Sequence, residues 1–174
     1  VHSFGFNSRL DDLHAGILSA KLKHIDEYND ARRKWAARYT KGLKGCKTFT
    51  LPVELKGYRH VFHLYVIETL KPEWRDQLVA FLVKNGVDAK THYSIAIHKQ
   101  AGYPWGKKAR IAGSVANAEA NAATCISLPM FPELTAKEVD YVIAKVKEWD
   151  AQFACQVLAG KGSAKSDDCC CCCK

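Results

Sequence analysis

Between Leu10 and Tyr39, apolar side chains return every three or four residues, and no other feature restricts the fold as strongly. Leu10, Leu13, Ile17, Leu18, Leu22 and Ile25 begin the series; Tyr28, Arg32, Trp35, Ala36 and Tyr39 continue it. That spacing draws one stripe along a helix with a single buried face. Ser8, followed three residues later by Asp11, predicts a capped start, and Gly42 and Gly45 predict the stop. The expected helix runs from about Arg9 to about Lys44. It is long for a globular domain, which suggests a spine joining two parts of a larger body. The stripe and the cap leave Asn7 and Arg9 without a role.

Downstream the period changes. LPVELKGYRH reads as a loop punctuated by Pro52 and Gly57, and HVFHLYVIETL alternates in the manner of a strand. Pro72 opens a helix at the first-turn position, where its lacking amide hydrogen costs nothing. Leu78, Phe81 and Leu82 form the expected buried face of that helix, and Asn85-Gly86 ends it. VDAKTHYSI predicts a second strand, HKQAGYPWGKKARIAGS a long loop, SVANAEANAAT a short helix and CISLP a short strand. Thr135 and Glu138 make a capping box before a last helix with Val139, Val142, Ile143, Val146 and Trp149 on its apolar face. Strands and helices in this order predict an α+β layer with helices packed on a sheet.

Composition excludes some function classes. An apolar fraction of 48% and a charged fraction of 25% are ordinary for a globular protein, and no apolar run is long enough to span a membrane. The first residues lack the regions of a signal peptide, and Met130 is the only methionine, so the chain is expected to be processed or cut from a longer one. A net charge of +8 raises nucleic acid as a partner. The basic residues, however, are spread through segments such as NDARRKWAARYTKGLKG, the pattern of a solvated helix face, and an anionic small molecule also fits the charge.

Cys46, Cys125 and Cys155 stand alone without metal-type spacing, which suggests a reducing cytoplasm and no metal site. The run Cys169 to Cys173 follows the flexible stretch GKGSAK. Lipidation and soft-metal binding are open readings of it, but an unstructured tail or a scar of cloning or frameshift is favoured.

The motifs in their order resemble one family. GFNSRLDDL, ARRKWAARY, RHVFHLYVI, THYSIAIH and SLPMFPELTAKEVDYVI are similar to the carboxyl-terminal part of the DegT/StrS sugar-nucleotide aminotransferases, over about residues 4 to 150. The resemblance implies the small C-terminal α+β domain of a fold-type I transferase dependent on pyridoxal 5'-phosphate, led by the long helix. Residues 1–45 become an interdomain or dimer-interface helix, 46–155 the small domain and 156–174 a disordered tail. It also implies a cytoplasmic homodimer acting on a nucleotide-sugar substrate and an amino-acid amino donor, with no nucleic acid and no membrane.

Under this resemblance Asn7 reaches the phosphate of the partner subunit's cofactor, as an amide donor near a helix start suits a phosphate oxygen. Arg9 strengthens the positive field there, facing a substrate phosphate or carboxylate. A plain helix cap for Asn7, and an ion pair with Asp11 or Asp12 for Arg9, are the structural alternatives. His92 and Tyr93 match the substrate-side His-Tyr-Pro segment, with Ser94 in the place of proline, and Ile97-His98 stands for Leu-His. His92, Tyr93 and His98 are therefore expected to bind a sugar hydroxyl or diphosphate. His14 departs from the usual glutamine, while His63 and Tyr65 are expected in or near the core.

The family's imine-forming lysine lies upstream of the NSRLD motif. Lys21, Lys23 and Lys90 lack its serine- and glycine-flanked context and read as solvated surface. The chain alone is expected to be inactive and its parent to be an aminotransferase. A sugar dehydratase of the same family, a non-catalytic truncated subunit and a basic binding domain remain the alternatives.

Overall fold

The structure, a computed structural model, describes residues 10–103 and 110–159, the last five by backbone alone. The expected spine is two helices, α1 (Asp12–Leu22) and α2 (Ile25–Leu43). At the break, the His24 amide donates to the Lys21 carbonyl at 3.0 Å, and the His24 carbonyl accepts from Tyr28 at 3.0 Å. Lys21 closes α1, while Asp26 and Glu27 open α2, so each helix end carries the charge that suits its dipole. The apolar series crosses the break because α2 is amphipathic and α1 carries apolar residues all round its circumference. This lysine-then-acid switch was the available sign that one helix had ended. Asp11, and not the expected Ser8, caps α1, its carboxylate accepting from the His14 amide at 2.8 Å; Ser8 lies outside the described residues.

A three-stranded antiparallel sheet follows, ordered β1 (Phe49–Thr50), β2 (Tyr65–Thr69) and β3 (Cys125–Leu128). β2 is shorter than the alternation predicts. Ahead of it, Phe62 sits at φ +47° and donates its amide locally to the His60 ring nitrogen at 2.8 Å. Arg33 reaches the Glu54 carboxylate at 2.6 Å and the His60 carbonyl at 2.6 Å, which ties this bend to α2. Tyr65 is fully buried as expected, but His63 is exposed, because the bend takes it out of the core.

The second predicted strand, VDAKTHYSI, is also corrected. Val87 and Ala89 are buried in alternation, yet the segment meets β3 at one bridge only, Lys90 to Ser127. It then turns through a cis His92–Tyr93 peptide into a single 3-10 turn, Ile97–Lys99.

The remaining helices fall where the sequence predicts. These are α3 (Pro72–Lys84), α4 (Ala116–Thr124) and α5 (Ala136–Ala159), the last opened by the Thr135–Glu138 capping box. α2, α3 and α5 bury Trp35, Tyr39, Leu78, Leu82, Val139 and Trp149 against the sheet residues Tyr65, Ile67, Ile126 and Leu128. Trp149 stacks on Phe153 at 4.4 Å and meets Trp74 edge-on at 6.1 Å. α2 and α5 approach closely because residue 42 is glycine; a Cβ there would lie 2.7 Å from the Ile143 Cδ1. Arg38 forks onto Asp140 with two 2.7 Å bonds across the same pair of helices.

Candidate functional site

Strand alternation gives the sheet a second face. Tyr65 and Ile67 turn toward the helices, so Val66 and Glu68 turn the other way. The antiparallel register sets Thr50 and Cys125 opposite Glu68, and Ser127 opposite Val66. A cleft of about 330 Å³ lies over this face. Val66 and Glu68 meet the residues after β1, from Thr50 to Val53, on one side, and His92 and Asn121 on the other.

The carboxylate, the amide and the imidazole of the cleft are each held by a second element. The Asn121 amide on α4 donates to the Glu68 carboxylate at 2.7 Å. His92 is fixed through Nδ1, 2.9 Å from the Ser127 hydroxyl, and the Ser127 backbone is bound in turn by the Lys90 bridge. The arrangement therefore offers a carboxylate and an imidazole beside the apolar surfaces of Leu51, Pro52 and Val66.

Of the predicted site residues, His92 lines the cleft. Tyr93 packs edge-on against the His92 ring at 5.6 Å and is 76% exposed. His98 is engaged elsewhere: its Nε2 lies 2.8 Å from Glu119 on α4, and Lys99 holds the other carboxylate oxygen at 3.0 Å. The hydrogen bond from His98, with Lys99 second, lowers the Glu119 pKa below its ordinary value. His98 thus fastens the segment carrying His92 and Tyr93 onto α4. Asn7 and Arg9 lie outside the described residues. Glu68, Asn121 and Ser127 were not singled out from sequence. The alternation that buries Tyr65 and Ile67 was a sign for Glu68, whereas Asn121 and Ser127 gave none.

The cleft over the open sheet face is not lined as a pyridoxal-phosphate site. Such a site needs a lysine amine facing an enclosed pocket and donors for a phosphate. Lys21, Lys23 and Lys90 are exposed, Lys90 is paired with Asp88 at 2.8 Å, and the cleft presents a carboxylate that would repel phosphate. Burial pushes the Cys46 thiol up to about 11 and raises that of Cys125, so neither is a thiolate nucleophile at neutral pH. No described helix is long and apolar enough to cross a membrane.

The family model for DegT/DnrJ/EryC1/StrS aminotransferases matches residues 1–147. The chain is 40% identical over 156 residues to the "pleiotropic regulatory protein" of Geobacillus stearothermophilus, covering 88% of this chain and 40% of that one. It is 37% identical over 145 residues to the dTDP-3-amino-3,4,6-trideoxy-alpha-D-glucose transaminase of Streptomyces venezuelae, covering 83% and 37%. The crystal structure of S. venezuelae DesV in complex with a ketimine intermediate superposes with a TM-score of 0.72 at 36% identity, over 84% of this chain and 38% of that one. The α+β fold is thus the one expected from fold-type I transferases, led by two helices instead of one. The chain spans about two fifths of the length of the curated relatives it matches.

Proposed function

The chain belongs to the DegT/DnrJ/EryC1/StrS aminotransferase family, and on that premise we propose that it is the carboxyl-terminal part of a pyridoxal-phosphate enzyme converting a keto-sugar nucleotide to an amino sugar. The likeness to the S. venezuelae transaminase across 83% of the chain carries this reading. The apolar surface of α1, which runs round the helix, supports it from the physical side. Leu13, Leu18 and Leu22 are each more than half exposed, which suits a helix built to pack against the remainder of an enzyme.

In the proposed enzyme the imine-forming lysine comes from outside these 174 residues. Asn7 donates to the cofactor phosphate of the partner subunit, with Arg9 beside it, and the complete site belongs to a cytoplasmic homodimer. His92 and Tyr93 face the nucleotide-sugar substrate, and His98 holds their segment in place. The amino group comes from an amino acid.

Two measurements test this reading. Titrating the full chain with pyridoxal phosphate, followed by borohydride reduction and peptide mapping, is expected to label many lysines weakly. Stoichiometric labelling of a single lysine would show a complete cofactor site and overturn the division of labour proposed. In the whole enzyme, Asn7→Ala removes a hydrogen bond to a charged phosphate, about 1.5–3 kcal/mol, or roughly 10- to 100-fold in cofactor affinity. The absorbance of retained cofactor after dialysis reads this directly, and unchanged retention would remove Asn7 from the site.

A further inference from the structure

We infer that the cleft on the open sheet face is a subsite for one neutral sugar ring, in which Glu68 accepts a hydroxyl and its charge keeps anionic groups out of the cleft itself. The inference rests on the sugar-aminotransferase reading only for naming that ring as the substrate's own.

Size is the first argument. About 330 Å³ lies at the low end of small-molecule sites and accommodates one hexose within the cleft, with anything longer extending into the open. Chemistry is the second. A sugar ring has C–H surfaces flanked by hydroxyl groups, and the cleft sets Leu51, Pro52 and Val66 beside two positioned polar groups. One Glu68 oxygen is bonded to Asn121 at 2.7 Å, which orients the carboxylate and leaves its other oxygen without a hydrogen-bond partner among the described residues. His92 uses Nδ1 on Ser127, so Nε2 is the atom it presents to a ligand. Charge is the third argument. An anionic diphosphate, the cofactor phosphate or the carboxylates of an amino donor would bring like charge to Glu68, which is unfavourable at close range. A hydroxyl donor brings none. The expectation of a sugar hydroxyl or a diphosphate at His92 is thereby narrowed to the hydroxyl.

Saturation-transfer NMR on the full chain tests the subsite, since it observes the ligand and tolerates association of the protein. Methyl β-glucopyranoside is the neutral probe and methyl β-glucuronide the anionic one. The expected result is transfer to the neutral probe, with affinity for the glucuronide lower by about tenfold or more. Glu68→Ala should weaken the neutral probe by a similar factor. Glu68→Gln should raise the affinity for the glucuronide to that for the neutral probe, a gain that loss of structure would not produce. Far-ultraviolet circular dichroism checks that both variants keep the fold. Equal binding of the two probes by the unaltered chain, no transfer to either, or indifference to both Glu68 substitutions would overturn the subsite. Any of these would leave the aminotransferase reading standing, because cofactor retention in the Asn7→Ala enzyme reads that separately.

Discussion

Asp150→Ala is expected to lower the stability of the domain by about 3–5 kcal/mol, the sum expected when several buried donors lose their acceptor at about 1–3 kcal/mol each. One oxygen of this buried carboxylate accepts three hydrogen bonds. They come from the Lys47 amide at 2.9 Å, the Thr48 amide at 2.9 Å and the Thr48 hydroxyl at 2.6 Å. Thr48 is wholly buried, so water cannot replace the lost acceptor without opening the turn between α2 and β1. Asp150→Asn keeps an acceptor oxygen in place and is expected to cost only about 1 kcal/mol. Urea unfolding of the three proteins, followed by tryptophan fluorescence, measures both differences. An alanine variant as stable as the asparagine one would show that the turn is held by packing and not by this carboxylate.

The second large effect concerns the surface of α1. Leu13 is 73% exposed and Leu22 67%, with Leu10, Ile17, Leu18 and Ile25 also open to solvent. Leu10, Leu18 and Ile25 line a groove of about 730 Å³ between α1, the start of α2 and the Pro132–Glu133 turn. The isolated chain is expected to self-associate through this surface. Burying one leucine is worth about 1.5–3 kcal/mol, so removing three from an association should weaken it by three orders of magnitude or more. Sedimentation velocity over a range of concentrations should therefore show association of the unaltered chain. The combined variant Leu13→Glu, Leu18→Glu, Leu22→Glu should remain monomeric. A monomeric unaltered chain at high concentration would mean that the apolar surface of α1 needs no cover.

Elements whose patterns are local were legible in the sequence. Pro72 and Asn85-Gly86 bracket α3, Thr135 and Glu138 open α5, and Val139, Val142, Val146 and Trp149 are buried along it as the spacing predicts. Each of these rests on a side chain acting on the backbone within a turn or two. β1 was missed because two residues carry no period. The strand expected over VDAKTHYSI failed for a different reason. Alternation records which side chains are buried, and Val87 and Ala89 are, but a ladder also needs a partner running beside it.

At the candidate site the division is similar. His92 and Tyr93 were found through a motif, and the structure sets His92 in a cleft. Glu68 passed as an outward residue of a strand, and Asn121 as one polar position in an alanine-rich helix. The hydrogen bond that joins them spans 53 residues of chain. Asp150 likewise follows Trp149 as one more charge on an amphipathic helix, until folding places Thr48 against it.

What the sequence determined alone is the family, the helices α3, α4 and α5, the strands β2 and β3, and the apolar face of α5, because these are written in periods and motifs that need no partner to be read. Only the tertiary structure decided where the spine breaks, which helix faces find cover and which polar side chains meet. Those outcomes depend on pairings between residues far apart in the chain, whose energies arise only once packing has brought them within reach of one another.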